Sequence, residues 1–265
     1  MQEQLWKSIV LVRDKSPLVQ SIANYVVMNN TANALLAIGA SPIMAHAHEE
    51  MNDMVSIVGA LVINIGTLDD YWVKSMHLAI AQANALHKPW VLDPVGAGAT
   101  PYRNEVLEGL LQLRPTIIRG NASEILALAS KHTTLTKGVD STHRSTEAVD
   151  AALTLNQHFG SVVCISGATD IIVNKDKMVK LSNGHPMMAR VTGMGCTATA
   201  LTGAFVAIHP DDPMKATAAA MALMGVAGEL AARRATGPGS LQVNFLDSLY
   251  TMRESEFTER LKVSA

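Results

Sequence analysis

Cys196 follows the turn Gly193-Met194-Gly195, and the run of Ala, Thr, Leu and Phe after it holds no charge and no proline until Pro210. Glycines ahead of an apolar run predict a loop feeding a buried helix. The first turn of a helix leaves backbone amides without intrahelical partners, and the aligned peptide dipoles make that end positive. Amides that an anion can approach over glycine form a phosphate or oxyanion site. A thiol in that field is expected to have a lowered pKa and to face whatever the amides bind. Taken alone the stretch reads first as packing, because a lone cysteine in an Ala/Thr-rich helix is usually a small core residue and Gly-x-Gly is a weak motif.

Three charged residues change the balance. Asp93 closes the apolar stretch Trp90-Val91-Leu92 before a Gly-rich loop, and Glu124 lies in Arg119-Gly120-Asn121-Ala122-Ser123-Glu124. Two carboxylates converging on one rim can hold a hard cation, usually through waters when the ion is magnesium. Each by itself is also explained as a turn former before proline or as a helix cap. Arg119 resists such an account: a guanidinium at the end of an apolar strand needs an anion, and bidentate phosphate recognition uses that geometry. His46-Ala47-His48 has a zinc-like spacing but no Cys partners and no second cluster, so a solvated loop is expected there. No G-x-x-x-x-G-K-[ST] loop exists, which excludes a P-loop nucleotidase, and no G-x-S-x-G elbow accompanies the cysteine.

The elements that must position these residues follow from periodicity. Near-continuous apolar strands are expected at 60–65, 90–93, 116–119 and 162–166, with a shorter extended piece at 41–45. Helices are expected at 2–14, 30–38, 69–86, 104–112, from Ala122, after Gly195, from Pro213 to about Arg234, and over 243–262, with Gly237 to Ser240 as a sharp loop. Such alternation predicts a mostly parallel central sheet covered by helices on both faces. Around residue 170 the rhythm breaks, and 171–173 with 178–179 reads as a small antiparallel edge hairpin. Ligands bind such sheets outside the carboxyl ends of the strands, which gathers Met44, Gly66, Asp93, Arg119 and Ser166 on one edge, facing residues 193–196.

Composition narrows the class. The chain has 265 residues, 48% hydrophobic but only 4% aromatic, with 14 methionines, and no linker or change of composition divides it. One α/β domain over 1–265 is expected. A net charge of −2 offers no electrostatic footprint for nucleic acid or an anionic membrane. Two cysteines give no disulfide framework, the N-terminus lacks a signal-peptide core, and the uncharged run 191–210 falls short of a membrane span. A cytoplasmic location is expected.

Several long, ordered motifs carry a resemblance: residues 17–27, 29–44, L-D-P-V-G-A-G-A-T at 92–100, R-G-N-A-S-E-I at 119–125 and V-T-G-M-G-C at 191–196. Together they resemble the hydroxyethylthiazole kinase family from about residue 17 to the G-P-G-S stretch. That resemblance implies a ribokinase-like fold, a homotrimer with sites near subunit interfaces, and magnesium-dependent transfer of the ATP γ-phosphoryl to 4-methyl-5-(2-hydroxyethyl)thiazole in thiamine salvage. It implies that Met44 and Gly193, with Asn24 as a weaker candidate, contact the thiazole alcohol. Arg119, Ser166 and Asn121 would serve ATP, and Asp93 and Glu124 magnesium. Cys196 would stand where sugar kinases of the same superfold carry an aspartate base. Met194 replaces the usual threonine-like residue and Ser166 a frequent threonine, and neither change removes an amide or a hydroxyl. The competing classes are a sugar, nucleoside or pyrimidine kinase, a nucleotide-dependent repair lyase of the same fold, and a non-catalytic thiazole or nucleotide binder. The Met-, Val- and Ile-rich strand ends suit a small, weakly polar heterocycle better than a polyhydroxylated substrate.

Overall fold

The computed structural model describes residues 1–132 and 144–265. In chain order the elements are α1 (Gln2–Lys15), β1 (Leu18–Ile22), α2 (Met28–Ala37), β2 (Ser41–Ile43), α3 (Met51–Ile57), β3 (Ala60–Asn64), α4 (Asp70–Ala85), β4 (Trp90–Asp93), α5 (Pro101–Gln112) and β5 (Ile117–Asn121). Then follow α6 (Ala122–Ala129), α7 (Arg144–Phe159), β6 (Val162–Ser166), β7 (Asp170–Asn174), β8 (Lys177–Leu181), α8 (Met194–Ile208), α9 (Pro213–Arg234), α10 (Pro238–Thr251), α11 (Glu254–Arg260) and β9 (Val263–Ser264). All the strands join one sheet of order β2-β1-β3-β4-β5-β6-β7-β8-β9. The pairings from β2 to β6 are parallel, and β7, β8 and β9 add an antiparallel edge.

The sheet is buried on both sides, and strand residues divide alternately between two cores. Val62, Val91 and Ile117 join α1, α2, α8, α9 and α10 on one face. Leu61, Ile63, Leu92 and Ile118 meet α3 to α7 on the other. Alternation in steps of two therefore aims Asn64, Asp93 and Arg119 at the α8 face, where the apolar side chains of β3, β4 and β5 give way to polar ones. Helix α8 lies unusually close to the strands at Gly203, where a Cβ would come within 2.4 Å of Val62 Cγ2 and 3.1 Å of Val19 Cγ1. Its buried hydroxyl at Thr202 is satisfied inside the helix, donating to the Ala198 carbonyl at 2.8 Å.

The structure departs from the expected elements in identifiable places. The loop expected at His46-x-His48 is present over residues 44–47 but is half-buried, and His48 opens a 3-10 turn leading into α3, its ring stacked on Tyr71 at 3.9 Å. The expected helix over 243–262 is two helices. Pro238 begins α10, so the Gly-Pro-Gly-Ser stretch is a helix start with Ser240 Oγ accepting from Gly237 N at 3.2 Å. The chain then breaks at Met252, and α11 starts where Glu256 Oε2 accepts from Arg253 N at 3.1 Å. β5 continues two residues past its expected end, which puts Arg119 inside the ladder, opposite Cys164, and not at its terminus.

Candidate functional site

The carboxyl ends of β3 and β4 bring two polar residues together, because Asn64 and Asp93 are register partners in neighbouring parallel strands. Asp93 is 2% exposed and its Oδ2 accepts from Asn64 Nδ2 at 2.6 Å and from Thr199 Oγ1, one turn into α8, at 2.8 Å. Burial raises its carboxyl to about 6, with the charge of Glu124 adding to the shift and Arg119, Thr199 and Asn64 pulling against it. Glu124 sits one turn into α6 in a reciprocal cap with Asn121. Its Oε2 accepts from Asn121 N at 2.8 Å and its Oε1 from Gly96 N at 2.9 Å, while Asn121 Oδ1 accepts from Glu124 N at 3.0 Å. The N-x-x-E pair thus ties the loop after β4 to the start of α6. Among the described residues no three His, Cys, Asp or Glu side chains gather at one point. Magnesium needs no such cage, since it keeps most of its waters and takes one or two carboxylates.

Arg119 is buried at 8% exposure, on the strand beside Asp93. No acidic side chain among the described residues lies within ion-pair distance of it, and its Nε is buried without a hydrogen-bond partner. It packs under the first turn of α8, where a Cβ on Gly195 would come within 3.3 Å of Nη1. Arg119, Ser166, Gly195, Asp170, Met188 and Met194 are among the residues lining a cavity of about 550 Å³. Ser166 ends β6 and donates to the Gly120 carbonyl at 3.3 Å. Asp170, at the start of β7, is held above the usual carboxylate range by burial, against the pull of Arg119 and the Gly167 amide.

The helix start itself is as its glycines suggest. Gly193 caps α8 at φ 81°, and a side chain there would strike Val27, since its Cβ would lie 2.7 Å from Cγ1. Cys196 is half-buried on the first turn, its Sγ 3.7 Å from Asn24 Nδ2. Its thiol does not have the lowered pKa that the helix dipole suggests. Burial and the nearby Asp93 push it up to about 11, outweighing the amides of Asn64 and Asn24 and the charge of Arg119. A half charge at a helix end is a smaller effect than removing a thiolate from water beside a carboxylate.

The expected residues fall into two groups. Arg119 and Ser166 line the cavity with Gly195, whereas Asp93, Asn24 and Cys196 belong to the hydrogen-bonded cluster beside it. Gly193 caps the helix between them, Met44 follows β2 at the same sheet edge with its carbonyl 3.4 Å from His46 Nδ1, and Asn121 and Glu124 hold the loop. Sequence reading missed Asn64 and Thr199, although an Asn within Leu-Val-Ile-Asn-Ile was a readable signal. It also missed Arg103, which donates to the Ile65, Val95 and Gly66 carbonyls and so clamps the loops after β3 and β4.

Residues 9–255 match the model of the hydroxyethylthiazole kinase family. A hydroxyethylthiazole kinase of Syntrophus aciditrophicus is 54% identical over 264 residues, covering 99% of this chain and 97% of the relative. The solved structure of the hydroxyethylthiazole kinase protein from Pyrococcus horikoshii superposes with a TM-score of 0.92 at 42% identity, covering 99% of this chain and 98% of that one. A ribokinase-like superfamily protein of Enterococcus faecalis shares the fold at a TM-score of 0.64 and 14% identity, over 91% of this chain and 87% of its own.

Proposed function

The chain belongs to the hydroxyethylthiazole kinase family, phosphotransferases of thiamine salvage with a ribokinase-like fold, and we propose how its residues share that reaction. The γ-phosphoryl of ATP passes to the hydroxyl of 4-methyl-5-(2-hydroxyethyl)thiazole in front of the first turn of α8. The observation that carries this is Arg119: a buried guanidinium with no carboxylate of the described residues in ion-pair contact, set beside bare helix amides and opening on a cavity. The nearby charges of Asp93 and Asp170 offset part of its desolvation, and an anion bound in contact offsets the rest. Arg119 and Ser166 hold the nucleotide phosphates, and the amides of 194–196 meet the charge that spreads over the transferring group.

Asp93 and Glu124 suit a water-coordinated magnesium ion, since the charge of Glu124 adds to the raised pKa of Asp93 and a cation between them would relieve that repulsion. Both bonds to Asp93 fall on Oδ2, so Oδ1 remains for such an ion or its waters. Magnesium, when bound, would neutralise phosphate charge and orient the nucleotide. Met44 and Gly193 border the alcohol, with Asn24 behind it. Cys196, protonated at neutral pH, hydrogen-bonds the alcohol hydroxyl and is a weak base for it, which a loose transition state tolerates because the proton leaves late.

Residues 1–265 act as one kinase domain in this reading, in the cytoplasm, where Cys164 and Cys196 stay reduced. A homotrimer rests on the family resemblance, and self-association as such is supported by large apolar side chains left exposed on two joined elements. Leu36 on α2 and Val243 and Tyr250 on α10 are 57%, 61% and 74% exposed, and Gln242 of α10 donates to Asn30 of α2 at 2.9 Å. No helix among the described residues is long and apolar enough to cross a membrane. ADP release measured with magnesium, with and without the thiazole alcohol, tests the activity. Stimulation by the alcohol and none by nucleosides, sugars or pyridoxal is expected. Stimulation by those others, dehydration of a damaged nucleotide, or binding without turnover would each establish a rival.

A further inference from the structure

Asn64 has no role assigned in the reaction, yet its side chain makes three hydrogen bonds at the ends of the strands. It is 3% exposed. Its Oδ1 accepts from Gly66 N at 3.0 Å and from Asn24 Nδ2 at 2.7 Å, and its Nδ2 donates to Asp93 Oδ2 at 2.6 Å. The direction of each bond is settled by partners with one possible role. A backbone N–H can only donate and an ionised carboxylate can only accept, so the oxygen of Asn64 faces Gly66 and its nitrogen faces Asp93. The same holds one step on, where Val26 N donates to Asn24 Oδ1 at 3.1 Å and leaves Asn24 Nδ2 for Asn64 and for Cys196 Sγ, 3.7 Å away. The approach is tight enough to require glycine at 66, where a Cβ would lie 2.4 Å from Asn24 Nδ2. Thr199, which completes the bonding of Asp93 Oδ2, lies on α8 three residues after Cys196. The chain of contacts thus runs from the thiol through Asn24, Asn64 and Asp93 and returns to the helix that carries the thiol.

We propose that Asn64 is a positioning residue: by joining Asn24 to Asp93 it sets the thiol that faces the alcohol and the carboxylate that serves the metal in one fixed relation. This rests on reading Cys196 and Asp93 as parts of the phosphoryl-transfer site. Arg119 makes no hydrogen bond to this chain of contacts, so loss of Asn64 falls mainly on turnover and only weakly, through the metal-facing carboxylate, on nucleotide affinity. Reactions that depend on placement lose rate when a supporting amide goes, even where no contact to substrate is lost.

The test compares the parent protein with Asn64→Ala, Asn24→Ala and the double variant, each checked for a cooperative melt. Turnover of Asn64→Ala should fall by about 10- to 100-fold while KM for ATP stays within about threefold, the range seen when an outer partner of a site residue is removed. In substrate-free protein the rate at which Cys196 reacts with an aromatic disulfide reagent should shift by about threefold or more, with Cys164 fully buried and silent. The double variant should be no more than about threefold slower than the slower single one, because both substitutions cut the same chain. Turnover and thiol reactivity within about twofold of the parent, or losses that multiply in the double variant, would overturn the proposal. If Asn64→Ala does not fold, Asn64→Ser is judged by the same criteria. If the parent phosphorylates no thiazole alcohol, the reaction assigned above fails, and the thiol rates still decide whether Asn64 positions Cys196.

Discussion

The two flanks of the first turn of α8 are built on opposite plans. Toward β5 and β7 lies Arg119, buried, with an unpartnered Nε and an open cavity before it. Toward β1, β3 and β4 lie Asn24, Asn64 and Asp93, each hydrogen-bonded to the next within 2.7 Å. The first flank carries a guanidinium that no described carboxylate meets within ion-pair distance, an arrangement that fits an anion from solution. The second is bonded within itself and leaves Asp93 Oδ1 without a partner among the described residues. Incomplete charge makes a binding site, and a closed network makes a positioning device. Substitutions on the two flanks should therefore divide between affinity and turnover.

The largest effect is expected at Asp93. Asp93→Asn should lower turnover by on the order of 10³-fold, the scale of losing a charge that stabilises the transferring group. Its stability should move the other way. The folded pKa, about 6, stands above the ordinary 3.8, so the folded state holds this proton more tightly than the unfolded one. That contribution is complete at pH values below about 4 and is lost as pH rises through about 6. Without metal, Asp93→Asn should thus melt higher than the parent at pH 8, by on the order of 2–3 kcal/mol, and the difference should vanish near pH 4. Calorimetric melts across that range decide it, and a pH-independent difference would argue against a buried charge.

Arg119→Lys tests the incomplete flank. The ammonium keeps the charge and loses the fork, so KM for ATP should rise about 10- to 100-fold with the KM for the thiazole alcohol within about threefold. Equal losses for both substrates would make Arg119 a structural residue. A smaller effect is expected from Cys196→Ala. With the thiol pushed up to about 11 it is no effective base at neutral pH, so turnover should fall about tenfold or less, below the range for a general base. Calorimetric titration should find nucleotide affinity unchanged, and a loss beyond about 10²-fold would restore the thiol as a base. The smallest change should come from Glu124→Gln, which keeps one backbone bond of the cap and loses the other. Stability should drop by about 1 kcal/mol, and the magnesium concentration for half-maximal rate should rise about threefold. A stability loss with unchanged magnesium dependence would leave Glu124 as a cap alone.

Much of the frame was legible in the sequence. β4 and β6 begin where their apolar runs do and end one polar residue beyond them, as expected, because strands covered on both faces can hold few polar residues. The hairpin of β7 and β8 was readable from Asn174-Lys175-Asp176 between apolar runs, and Lys175 takes the positive φ of 55° that such a turn uses. Helices α3 and α7 escaped notice; α3 is short, whereas α7 had a readable helical spacing in Ala148, Ala151, Ala152, Leu155 and Phe159, all buried on one face. The break between α10 and α11 escaped because no Gly or Pro marks it.

The sequence by itself determined the alternation of elements, the glycine-led start of α8 and the presence of an arginine that packing does not explain. All are local: periodicity, turn chemistry and the cost of burying a charge act within a few residues of the chain. Only the tertiary structure decided what those residues become. Register places Asn64 beside Asp93, strand parity turns both toward α8, and the closeness of that helix brings Thr199 and Cys196 onto them. The reversal at Cys196 has the same origin. A dipole belongs to the helix and can be read from its sequence, whereas desolvation and a neighbouring carboxylate belong to the packed interior and outweigh it there.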